Sequence, residues 1–158
     1  MIARRVKLAL DQFVVQGVFH HVDAGHLRVG RLTHRILWHH DHLHRFVLDF
    51  DAGAVTLPSL LPATLPPRLV RELRSIMRQA SSSLPRERSQ FDPDKAELRV
   101  FMKHGSLTFS MTARNDCYEY CTEQLIGLAD GVLRTLFEEQ ACVDREISRV
   151  AGTEQAVE

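Results

Sequence analysis

The chain has 158 residues, 44% of them hydrophobic and 25% charged, with 20 Lys+Arg balanced by 20 Asp+Glu. That length and composition suit one domain able to fold around its own core, without disulfide or metal staples. Zero net charge argues against a nucleic-acid binder working by counterion release, which normally carries a basic excess.

Residues 3–16 read as an amphipathic helix, with Val6, Leu10, Phe13 and Val14 near helical spacing and Gly17 as the stop. Residues 18–22 are β-branched and aromatic, and Asp23-Ala24-Gly25 is a turn signal. Over 26–38 apolar positions alternate through Leu27, Val29, Ile36 and Trp38, with Gly30 interrupting them. Residues 45–51 alternate Phe46, Leu48 and Phe50 with Val47, Asp49 and Asp51, a strand that turns at Asp51-Ala52-Gly53 and returns over Ala54 to Leu57. Pro58, Pro62, Pro66 and Pro67 then predict an extended connector that cannot ladder continuously.

Pro66 and Pro67 open a second helix, where a missing N–H costs little. Leu69, Val70, Leu73, Ile76, Met77 and Ala80 form its apolar stripe, and Arg68, Arg71, Arg74 and Arg78 the opposite face. Residues 81–88 read as a polar surface loop. Residues 97–112 form a hairpin: Leu98, Val100 and Met102 alternate on one arm, Leu107, Phe109 and Met111 on the other, around His104-Gly105. Its second face carries Ser106, Thr108, Ser110 and Thr112, which predicts a sheet covered on one side only. Asp116 and Glu119 have the spacing of a capping box before a long closing helix. Its apolar face runs through Tyr118, Cys121, Leu125, Leu128, Ala129, Val132, Leu133, Leu136 and Phe137. That face has more apolar surface than a half-covered sheet needs, so a dimer seam or peptide groove is one use for it. The pattern fades after about Ala151.

The sum is an α+β fold of order α-βββ-α-ββ-α, an antiparallel sheet of about five strands with three helices on one face. The expectation is one domain over residues 1–150 and a frayed tail over 151–158. Cys117, Cys121 and Cys142 include no CxxC pair and come in an odd number, which fits neither a disulfide framework nor a zinc site. Cys117 and Cys121, four apart, read as buried free thiols. The apolar stretch after Arg4-Arg5 is broken by Asp11 and Gln12 and is too short for a signal peptide or membrane span, so a cytoplasmic protein of bacterial type is expected.

The Phe46–Leu57 hairpin running into a Leu-Pro-rich connector, the arginine-edged middle helix, the Leu98–Thr112 hairpin and the long helix from Asp116 together resemble the type III secretion chaperone-like fold, including the YbjN-like bacterial proteins. The resemblance spans most of residues 3–140 and is one of pattern, not of a diagnostic motif. It implies a homodimer that binds other proteins and does no catalysis. The histidine-rich stretch at 39–44 is no part of that pattern.

Nine histidines are present, four of them in His39-His40-Asp41-His42-Leu43-His44. Neutral imidazole is a common transition-metal ligand, and in an extended strand His40, His42 and His44 would share one face. A solvated hairpin tip rich in histidine is the plainer account. No HExxH helix, GxSxG elbow, GxGxxG turn or GxxxxGK[ST] loop occurs. The leading expectation is therefore a non-enzymatic protein-binding module, chaperone-like or adaptor, homodimeric and without cofactor. Its partner is another protein or peptide, met by the sheet's exposed face and by Arg68, Arg71, Arg74 and Arg78. No membrane is involved, and nucleic acid is disfavoured. The alternative is a transition-metal protein using His39, His40, His42 and His44, with His20, His21 or His26 folded against them. A third, weaker option is phosphate or RNA contact through the arginines.

Overall fold

The computed structural model describes residues 1–38, 41–62, 65, 67–81, 92, 94–103 and 105–136, the side chains of 62 and 76–81 excepted. The elements are α1 (Ile2–Val15), β1 (Phe19–Val22), β2 (His26–Arg28), β3 (Arg31–Trp38), β4 (Leu43–Asp49), β5 (Ala54–Pro62), α2 (Pro67–Ser81), β6 (Ala96–Lys103) and β7 (Ser106–Ala113). A closing helix, α3, is described over residues 118–136. The fold is α+β, with three helices and one seven-stranded antiparallel sheet in the order α-βββββ-α-ββ-α.

Five strands precede α2, not three, because residues 18–38 fold back on themselves. Gly25 (φ 90°) ends one segment, and Val29-Gly30 (φ 48° and 73°) makes a two-residue turn between β2 and β3. Positive φ at both central positions is the turn that matches strand twist. β1 and β2 both pair with β3, β1 against Ile36–Trp38 and β2 against Arg31–Thr33, so they lie end to end as one interrupted edge. The order across the sheet is β1-β3-β4-β5-β7-β6.

The proline-rich connector belongs to the sheet. β5 extends to Pro62, but its register against β7 slips between Leu57 and Leu61, where Ser59 takes φ 54°. Ladder interruption at the prolines is as expected, and the strand resumes beyond it. The β6–β7 hairpin keeps one register from Ala96↔Ala113 to Lys103↔Ser106, and Gly105 (φ 76°) supplies its turn.

Alternation sorts the sheet into two faces. Ile36, Trp38, Phe46, Leu48, Val55, Leu57, Phe109 and Met111 point inward and are almost fully buried. Val6 and Leu10 of α1, Leu69 and Leu73 of α2, and Cys121, Leu125, Ile126, Ala129, Val132, Leu133 and Leu136 of α3 complete the same core. Phe13 of α1, Phe19 and Trp38 form an aromatic cluster, tilted and edge-to-face, with ring centroids 5.6 and 4.6 Å apart. The described apolar face of α3 is therefore consumed within the monomer, and it offers no spare groove. The capping box does not form either. Asn115 and Asp116 take φ 53° and 58°, and the Glu119 carboxylate turns to Arg5 of α1 at 3.3 Å.

Candidate functional site

The outer face of β2, β3 and β4 is the part of the sheet left open to solvent, and its residues follow from the register. Arg31 lies opposite Asp49, Thr33 opposite Val47, Arg35 opposite Arg45 and Leu37 opposite Leu43. On the adjoining edge His26 faces Thr33 and Arg28 faces Arg31. Arg28, Arg31, Arg35 and Arg45 are exposed, and so is Leu43, at 62%. An open depression of about 680 Å³ is lined by Arg28, Val29, Arg31, Thr33, Asp49, Asp51 and Ala52 at the hairpin end of this surface.

Asp49 is the carboxylate at the centre of the arginines, and its two oxygens are already engaged. Oδ1 accepts the backbone N–H groups of Asp51 and Ala52 at 3.1 and 3.0 Å, and Oδ2 accepts Arg31 Nε at 3.2 Å. It holds the β4–β5 turn and neutralises one arginine. The same turn is tied to its neighbour by Phe50 N–H donating to the Gly30 carbonyl at 3.0 Å. Among the described residues Arg28, Arg35 and Arg45 form no ion pair. Arg35 and Arg45 are thus like charges placed directly opposite on neighbouring strands, an arrangement that ordinarily disfavours pairing.

The hydroxyl half of the outer face differs from the sequence expectation. Thr108 and Ser110 are buried, at 2% and 8% exposure. Ser59 N–H donates to Thr108 Oγ1 at 3.2 Å, and the Thr56 and Ser110 hydroxyls bond each other at 3.0 Å. These hydroxyls hold strands together and leave the accessible half of the face to β2–β4.

Of the arginine row on α2, Arg68, Arg71 and Arg74 are exposed, and Arg78 falls among the side chains outside the described set. Leu69 and Leu73 anchor α2 in the core beneath the inner face. The row therefore lies on the helical side of the sheet, across from the open face, and the two do not merge into one surface as expected. Glu72 of the same helix accepts the Thr135 hydroxyl of α3 at 3.4 Å.

Of the histidine stretch, Asp41 and His42 lead directly into β4. Asp41 N–H donates to the Trp38 carbonyl and Trp38 N–H to the His42 carbonyl, both at 3.0 Å, with Asp41 at φ 63°. His39 and His40 lie outside the described residues. His44 faces the core opposite Ile36 and meets the Trp38 ring edge-on at 5.6 Å, while the His42 and His44 rings stack at 6.5 Å. His20 Nε2 lies 3.7 Å from Asp41 Oδ1, so β1 does fold against the turn. Among the described residues no three His, Cys, Asp or Glu side chains converge as a metal site would require.

The histidine that sequence reading passed over is His34. It is 1% exposed on the inner face, its Nδ1 is 3.1 Å from the Asp23 carbonyl, and its Nε2 has no partner among the described residues. Burial pushes its pKa below the usual histidine value, against the opposing pull of Asp23. The Asp23 carboxylate accepts Gly25 N–H at 3.0 Å and Arg35 N–H at 2.9 Å, which holds the break between β1 and β2. A period-two count places His34 in phase with Ile36 and Trp38, the one signal that marked it as core.

Cys121 is buried and its thiol is pushed up to about 12 by desolvation; Cys117 is half-buried. The Cys121 site is a desolvated one, the opposite of the electropositive surroundings that activate a thiolate. No helix among the described residues is long and apolar enough to cross a membrane. No protein-family model matches the chain, and neither curated proteins nor solved structures give a match.

Proposed function

We propose that the protein is a non-enzymatic protein-binding module of chaperone or adaptor type that works as a homodimer, in the manner of the type III secretion chaperone-like fold. One observation carries this reading: the edge strand β6. The opposite edge is protected, since β1 and β2 are short, separated by the Asp23–Gly25 break, and bulged between Phe19 and His21. β6 runs eight residues in unbroken register, and among the described residues it pairs with β7 alone. Its end carries Phe101 at 40% and Met102 at 58% exposure. Long regular edges with exposed apolar residues accept another strand, and proteins that must stay single normally blunt them. Two copies of β6 pairing antiparallel about a twofold axis would join two sheets into one and cover both edges. α2 packs beside β6, so Arg68, Arg71 and Arg74 would rim that junction.

The test is absolute mass in solution by light scattering, for the native protein and for a Phe101→Glu, Met102→Lys variant. A dimer that becomes a folded monomer on substitution, with unchanged far-UV circular dichroism, supports the reading. A native protein that is monomeric at every concentration and retains no protein partner refutes it.

A further inference from the structure

We infer that the open face of β2–β4 is a docking surface for an acidic peptide segment with interspersed apolar residues. This names a partner class for the protein-binding reading and rests on it, but it uses a surface separate from the β6 edge. Three features select the occupant.

The first is uncompensated charge. Arg35 and Arg45 stand directly opposite on β3 and β4, with Arg31 four residues along β3 and Arg28 opposite Arg31, all on the same face. Two carboxylates, Asp49 and Asp51, stand at the Arg28–Arg31 end, where Asp49 is bound to Arg31 and to the β4–β5 turn, and neither is paired with Arg35 or Arg45. Directly opposed side chains on neighbouring strands start about 5 Å apart, near enough for one carboxylate to meet both guanidinium groups. A like-charged pair built into a sheet at a cost to pairing is relieved by an anion placed between its members.

The second feature is what flanks the Arg35–Arg45 pair on either side. Leu37 and Leu43 form the next cross-strand pair, and Val47 sits opposite Thr33. Leu43 is 62% exposed and the other two are half-buried. A ligand that alternates carboxylates with aliphatic side chains meets both kinds of contact, and an extended peptide presents such alternation with period two.

The third feature argues against other polyanions. No Phe, Tyr or Trp stands on β2, β3 or β4 of this face, and His26 at its edge is the one ring there, so a run of unpaired bases lacks a row of large stacking platforms. The Asp49 and Asp51 carboxylates line the adjoining depression and would repel a continuous phosphate track.

The experiment uses the full chain and a short fluorescein-labelled peptide of alternating Glu and Val, read by anisotropy. The comparison ligands are the same peptide with Gln for Glu, oligo-dT, and phosphatidylserine vesicles. The native protein is expected to bind the Glu peptide, more weakly as salt rises, and to ignore the Gln peptide. An Arg35→Gln, Arg45→Gln variant is expected to lose about tenfold or more in affinity, the scale of losing charge-assisted contacts. Its melting temperature should not fall, because both side chains are exposed and the repulsion between them is gone. Arg4→Gln on α1, an exposed arginine away from both surfaces, should leave peptide binding unchanged, and both variants should keep the native protein's mass in solution. No binding of the Glu peptide, or equal binding by the Arg35, Arg45 variant, overturns the inference even if the dimer persists. Stronger binding of oligo-dT or vesicles through the same arginines also overturns it and reassigns the face to that anion.

Discussion

The indole N–H of Trp38 donates to Asp130 Oδ1 at 2.9 Å, across 92 residues of chain. Trp38 is fully buried on the inner face of β3, and Asp130 stands on α3 with its second oxygen bound to Arg134 Nε at 2.9 Å. This bond ties the closing helix to β3 with a direction that the aliphatic packing around it lacks.

Replacing Asp130 with Ala should therefore cost about 1–3 kcal/mol, the penalty for leaving a buried donor unsatisfied. Asp130→Asn keeps an acceptor and should cost less. Urea denaturation of the two variants checks this, and equal midpoints would show that the indole bond contributes little.

Stability should fall with acid through His34. Its folded pKa lies below the unfolded value of 6.5, so the unfolded chain binds the proton more readily. The stability due to neutral His34 is fully present above about 6.5 and is lost as pH falls from there towards the folded value. Urea midpoints at pH 7.5 and 5.5 should separate more for the native protein than for His34→Gln. Other histidines titrate in both proteins, so the difference between the two slopes isolates His34.

Gly25 should not tolerate a side chain. It sits at φ 90°, and a Cβ there would come within 2.7 Å of the His34 ring, which is buried and cannot retreat. Gly25→Ala should cost about 2 kcal/mol or more, combining backbone strain with overpacking. A melting temperature equal to that of the native protein would contradict the close packing of the β1–β2 break on His34.

Val29 offers the opposite sign. It is a β-branched residue at φ 48° in the Val29-Gly30 turn and is 90% exposed, so no packing compensates for its conformation. Val29→Asn should raise stability by about 1 kcal/mol, since Asn suits the first position of this turn. Thermal denaturation decides it, and a loss would mean that the Val29 side chain has contacts of its own to keep.

Thiol reactivity should divide the two described cysteines. With Cys121 buried and its pKa near 12, alkylation at pH 8 should modify Cys117 and leave Cys121 untouched until the protein unfolds. Peptide mass mapping reads the result directly.

Where a pattern is local, the sequence alone determined the outcome. Leu98 to Met111 alternates with period two around Gly105, and the hairpin lies where that pattern puts it. Val6 and Leu10, Leu69 and Leu73, and Cys121 to Leu136 repeat at helical spacing, and each set forms the buried stripe of its helix. The α+β class and the one-sided helical cover follow from those periods. Tertiary structure decided whatever depends on partners distant in the chain. Val29-Gly30 looked like a fault in one strand and is a turn between two, because β3 gains a neighbour on each side by folding back. The Thr108 and Ser110 hydroxyls of β7 looked solvated and are buried, where they bond Ser59 and Thr56 of β5. His34 was one histidine among nine; its phase with Ile36 and Trp38 pointed inward, and its pairing opposite Phe46 puts that face in the core. The opposition of Arg35 and Arg45 is likewise a matter of register: a shift of one residue between β3 and β4 would turn one of them inward, and no property of either residue alone announces the pair.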